Sequence, residues 1–251
     1  SRGLGDVYKR QVTGSGSQWT NSASLRVGDS GSGTLNVEAG GVVSNKTGLI
    51  GYRSGSTGVA AVTGADSQWN NSSSLYVGSY GNRNVTLHVP AGGEVSNTEG
   101  YIGYYSGSTG TVTVSGTGST WANSGDLHVG MSGSGSLNIT DSGEVQVGGI
   151  TQLYAADTVN IDGGTMSVVE TLELDAGSTV NFNSGTLSVT SFSGDGSLIW
   201  NAGTLKITAP TGLTVGASGL LGTLLTIDAD QALNVTNITT IESGARIIAL
   251  G

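Results

Sequence analysis

"SLRVGDSGSGTLNVEAGGVVSNKTGLIGYRSGSTGVAAVTGADSQWNN", Ser24 to Asn71, holds two rounds of one design. Each round has three short strands, "SLRVG", "TLNVE" and "GVVSN" in the first, "GLIGY", "GVAAVTG" and "SQWNN" in the second. The links "DSGSG" and "RSGSTG" are rich in the residue that accepts positive φ. Three strands and three turns per round, with no helical period inside, define a solenoid in which each coil buries its inner face by stacking on the next. The expected fold is all-β, a right-handed single-stranded parallel β-helix of roughly ten coils.

The pattern extends in both directions from this stretch. Asn21, Asn45, Asn71, Asn97 and Asn123 recur at spacings of 24, 26, 26 and 26, and an apolar residue stands two places before each: Trp19, Val43, Trp69, Val95 and Trp121. Coils of about 25 residues therefore pair into double repeats of about 51, over residues 12–150, seen again in Gly28, Gly78 and Gly130. Aligned on Gly28, Gly51, Gly78, Gly103 and Gly130, the preceding residues are Val27, Ile50, Val77, Ile102 and Val129, an unbroken file of β-branched side chains expected to face inward. One place earlier stand Arg26, Leu49, Tyr76, Tyr101 and His128, a set expected on the opposite, solvated face. In residues 151–251 the helix is expected to continue with shorter coils, because "TVNIDGGTMSV", "TVNFNSGTLSV" and "SLIWNAGTLKI" align on Gly164, Gly185 and Gly203 at spacings of 21 and 18.

Composition limits the class. Of 251 residues 44 are Gly, 2 are Pro and 11% are charged, leaving little from which to build helix caps and helix surfaces. The net charge is −9, and from Gln11 onward six bases face seventeen acids, which disfavours nucleic acid and anionic membranes as partners. No cysteine occurs; a solenoid held by backbone ladders needs no staples, so an extracellular address is permitted. No apolar run approaches the roughly 18 residues of a membrane span. The opening "SRGLGDVYKRQ", residues 1–11, has a charge density unlike the rest and looks like translated read-through of a sequencing adapter in a metagenomic frame. The solenoid is expected to begin at Val12 and to be truncated at the far end.

"GSGTLNVEAGGVVSN", "GYIGYYSGSTGTVTVSGTGSTWANSGDLHVG" and "NSGTLSVTSF" resemble the passenger repeats of autotransporter-type bacterial surface proteins, including the autotransporter-associated β-strand repeats, from about Val12 to Lys206. The resemblance implies secretion or display on an outer membrane, as a monomeric part of a longer chain. It does not imply an activity, because passengers of this shape include adhesins, stalks and enzymes.

Candidate sites follow from the columns. The Asn file is expected to form a hydrogen-bonded amide ladder between coils, and the Trp residues that share a column with Val43 and Val95 to pack as core. Tyr76, Tyr101 and His128, with Tyr52 and Tyr104 one residue after the aligned Gly, form an outward stripe. Such rings can stack on sugars or on a partner's apolar surface, or on each other to shield a thin sheet. In "ETLELDAG", Glu173 and Asp175 share one strand face, roughly 6–7 Å apart, a spacing near that of inverting glycosidases; no third group marks them as catalytic, and no catalytic residue is assigned. His88 and His128 lack metal-ligand spacing to a second candidate, and the periodic Asp of calcium-binding repeats is missing, so neither a metal site nor a cofactor is expected. Three functions remain: a structural or adhesive segment that presents a repetitive face to glycans or surface proteins; a polysaccharide lyase or hydrolase; and an ice-binding solenoid. The last needs Thr columns in register, and "GVAAV" offers Thr111 no partner.

Overall fold

A computed structural model describes residues 8–80, 84–217 and 221–250. Every regular element among them is a strand, and the strands pair in parallel, stacked as a β-solenoid of about nine turns, close to the roughly ten expected. A first face is built from Ser32–Glu38, Thr57–Thr63, Val85–Val89, Thr109–Ser115 and Ser134–Thr140. A second holds Val42–Asn45, Ser67–Asn71, Gly93–Asn97, Thr120–Asn123 and Glu144–Val147, and a third Leu25–Val27, Gly48–Ile50, Leu75–Val77, Gly100–Ile102, Leu127–Val129 and Thr151–Leu153. Parallel strands need a crossover, and here each crossover is the rest of the coil.

Side-chain alternation and register together make the core. Val27, Ile50, Val77, Ile102 and Val129 are successive Cα partners, continued by Leu153 and Leu174, and all are buried. A second interior file runs Leu35, Ala60, Leu87, Val112, Leu137, Val159 and Val180. Each such Val or Leu contributes about 1.5–3 kcal/mol by leaving water. The glycine after the third-face file is dictated by the turn: Gly28, Gly78 and Gly130 have φ of 78°, 83° and 82°, and a Cβ on Gly28 would lie 2.0 Å from the Thr57 carbonyl oxygen of the next coil.

The tryptophans show why the repeat is double. Counting each coil from its first-face strand, Trp69 and Trp121 are fully buried, and each indole lies against a glycine of the coil before: a Cβ on Gly48 would meet Trp69 at 3.0 Å, and one on Gly100 would meet Trp121 at 2.9 Å. Coils with Trp carry Leu75 or Leu127 where their neighbours carry Gly48 or Gly100, so a bulky coil always lies on a spare one.

The same alternation replaces the expected continuous Asn ladder with separate triplets. Trp69 Nε1 donates to Asn45 Oδ1 and Asn45 Nδ2 donates to Asn71 Oδ1, both at 2.7 Å. One double coil later Trp121 donates to Asn97 at 2.7 Å and Asn97 to Asn123 at 2.6 Å. Between triplets, Asn71 and Asn123 turn to the backbone carbonyls of Ser96 and Gln146. An indole that occupies one amide oxygen per double coil breaks the chain of amides. Asn21 closes a local turn with Ala23 and Ser24 and joins no ladder.

Two boundaries differ from expectation. The first strand, Tyr8–Thr13, pairs with Ser32–Glu38 from Tyr8 onward, ahead of Val12; within it Arg10 partners Leu35, so exposed Arg10 heads a file that is apolar below it. Residues 1–7 lie outside the described residues. Coils do shorten after Asp157, where Thr158–Leu174 and Thr179–Gly194 each run as one strand, turning the corners at register shifts flanking Asp162 and between Val168 and Thr171 rather than through loops. The shortening then ends. Gly203 partners Gln231 and Leu213 partners Thr239, offsets of 28 and 26 residues, because the turn segments between strands lengthen again past Pro210.

Candidate functional site

The third face and the turn after it gather the aromatic residues. Tyr76, Tyr101 and His128 stand on successive coils as Cα partners. Tyr101 is sandwiched: Tyr76 covers one face at 4.7 Å between centroids and 7° between planes, and His128 covers the other at 5.0 Å and 10°. Tyr104 meets Tyr76 and Tyr101 edge-on at 5.1 and 4.9 Å, and Tyr52 is capped by the Arg26 guanidinium 4.5 Å above its ring. The Tyr154 hydroxyl lies 3.3 Å from His128 Nδ1, and Tyr101 donates to Glu99 at 2.7 Å. Burial lowers the His128 pKa and raises those of Tyr76, Tyr101 and Tyr154. Sugar stacking needs a free ring face, and Tyr101 has none. Within the stripe the rings brace one another, Tyr101 most completely. Leu49, in the same column, is buried.

A groove missed in the sequence runs along the corner between the second and third faces. Its outer wall is a file of Cα partners, Thr20, Ser44, Asn70, Ser96, Ala122, Gln146 and Ser167. Two adjoining hollows of about 520 and 630 Å³ share Asn71 and Ser96 and together reach from Thr20 to Val169. Lys46 and Glu144 are the charged residues on a lining otherwise made of hydroxyls, amides and small apolar groups. No single residue announces such a groove; only the register brings the file together.

The first face carries two further files. Thr111 partners Thr86 on the coil before and Ser136 on the coil after, followed by Thr158 and Thr179. The expectation that Thr111 lacks a partner is therefore corrected: "GVAAV" lies two coils away, and its Val59 interrupts the file one step further on. Beside it Asn181 donates to Asn160 and Asn160 to Asn138, both at 2.8 Å, an outward amide ladder in the column that also holds exposed His88.

The two carboxylates of "ETLELDAG" sit differently. Glu173 lies in the long strand between Gln152 and Ser193, whereas Asp175 follows the strand's end and accepts from Gln152 Nε2 at 2.9 Å. Among the described residues no three His, Cys, Asp or Glu side chains gather as a metal site, and no helix is long and apolar enough to cross a membrane.

Asp157 is the unusual acid. It occupies a turn after Tyr154 equivalent to that of Ser108 after Tyr105, is 2% exposed, and accepts from the Gly135 N–H at 2.6 Å, while its Oδ2 has no partner. Burial pushes its pKa up from 3.8 to about 6, only partly opposed by the Gly135 bond. A carboxyl whose folded pKa is raised favours the fold when protonated, so its contribution is complete below about pH 4 and lost as pH rises through about 6. Thermal melting is therefore expected to be higher at pH 4.5 than at pH 7.5 by the equivalent of about 1–3 kcal/mol, and Asp157→Asn is expected to remove most of that difference. An unchanged pH dependence in the variant would reassign it to the general relief of charge repulsion.

No family model, curated protein or solved structure matches this chain.

Proposed function

We propose that this chain is a structural and adhesive segment of a secreted or surface-displayed bacterial protein, and that its ligand contact is the corner groove. The observation that carries this reading is the file from Thr20 to Ser167, hydrogen-bonding side chains in register on nearly every coil of the solenoid. Coils lie about 4.8 Å apart, comparable with the rise of one sugar unit in an extended chain, so a linear neutral glycan would meet the same donors and acceptors at each step. Single contacts of this kind are weak and sum through repetition. The resemblance to passenger repeats supports the surface location. A lyase or hydrolase would need a charged cluster at the groove, and Lys46 and Glu144 lie in different hollows.

A glycan array and titration with soluble neutral polysaccharides test this. Asn70→Ala with Gln146→Ala is expected to weaken binding about tenfold or more, whereas Tyr76→Ala with Tyr101→Ala, once shown to be folded, leaves it unchanged. The opposite ranking would return the site to the stripe, and release of reducing ends would make the protein an enzyme.

The file Thr86, Thr111, Ser136, Thr158 and Thr179 favours one second reading, an ice-binding face. Inhibition of ice recrystallisation that Thr111→Lys abolishes would support it. Inactivity of the unmutated protein would remove it.

A further inference from the structure

All seven tyrosines among the described residues other than Tyr8 sit in one continuous cluster, and one pair within it differs from the rest. Tyr80 and Tyr105 stack with centroids 4.1 Å apart and planes 18° from parallel, the shortest ring separation in the cluster. They are also its most open members, 41% and 39% exposed, whereas Tyr76, Tyr101 and Tyr104 are half-buried. The pairing is set by the backbone: the Tyr105 N–H donates to the Ser79 carbonyl at 3.1 Å, which aligns Tyr105 with Tyr80 on the neighbouring coil. The Tyr105 hydroxyl beside it is the main reason the Tyr80 pKa is pushed up to about 12.

We propose that Tyr80 and Tyr105 are a dityrosine cross-linking site, joined between their ortho ring carbons by a peroxidase-class one-electron oxidant that consumes hydrogen peroxide. Each phenol gives up one electron and its hydroxyl proton, forming two tyrosyl radicals. The radicals couple, one carbon–carbon bond forms, and the two ortho hydrogens move as protons to restore both phenols. Two electrons and two protons leave in all, and they reduce one hydrogen peroxide to two waters. Stacking at 4.1 Å holds the ortho carbons of one ring over the other, so coupling needs only a small side-chain rotation. The bond would close a loop of 25 residues between adjacent coils, the task a disulfide performs in other secreted proteins and one that this cysteine-free chain cannot perform otherwise.

Treatment of the dilute protein with a haem peroxidase and hydrogen peroxide, followed by proteolysis and mass spectrometry, tests the site. The expected product is a monomer with dityrosine fluorescence, two hydrogens lighter, whose dominant linked peptides join Tyr80 to Tyr105. Tyr80→Phe and Tyr105→Phe, which keep the rings, are each expected to lower the intramolecular yield about tenfold, while Tyr154→Phe leaves it unchanged. A dominant link at another pair, coupling only between chains, or an undiminished yield in folded Tyr80→Phe overturns the proposal. The peptide map of the unmutated protein decides even if a variant fails to fold.

Discussion

Val77→Asp is expected to abolish cooperative folding, with a loss of about 4 kcal/mol or more. Val77 is fully buried between Ile50 and Ile102, so the carboxylate would enter a stack with neither water nor a cation beside it. A solenoid conducts the damage along its axis, because each coil is held only by its neighbours and a defect in the third coil divides the stack. Tyr76→Asp, one residue away on the same strand, serves as the comparison. Its side chain points outward, yet it stacks on Tyr101 and meets Tyr104, so a loss of about 1–2 kcal/mol is expected rather than none. Thermal or denaturant melting of both variants measures the difference, and equal melting would contradict the register.

Trp121→Ala should rank next, at about 3–5 kcal/mol. It empties the space that Gly100 leaves for the indole and strips Asn97 Oδ1 of its 2.7 Å donor inside the core. Trp121→Phe separates the two effects: it keeps most of the ring volume and loses the N–H, at about 1–3 kcal/mol. Gly100→Ala, whose new Cβ would lie 2.4 Å from Asn123 Oδ1 and 2.9 Å from Trp121, is expected to cost more in the unmutated protein than in Trp121→Ala. Strict additivity in denaturant titrations would argue against the interlocking of bulky and spare coils.

The interior file from Val27 to Val129 was legible because parallel stacking puts like residues on like, and a period of about 25 can be read directly from Asn and Gly spacings. The hydrogen bonds were not legible. Asn21 and Asn45 look identical in a column, yet one closes its own turn and the other bridges Trp69 to Asn71. The difference lies in which coil above or below carries an indole. Thr86 and Thr111 were missed as partners because their coils are irregular in length, and a slip of one coil in the alignment hides a file completely.

The order of residues alone determined that this chain winds into a parallel β-solenoid, that its coils pair into double repeats of about 51 residues, and which side chains enter its interior. These are properties of period and alternation, which survive small errors in register. Only the tertiary structure decided which outward residues meet: that the stripe spends its ring faces on itself, that Tyr80 lies on Tyr105, and that polar side chains from seven coils line one groove. Contacts between coils depend on exact turn lengths and on the direction of each side chain, and these are settled when the whole stack closes.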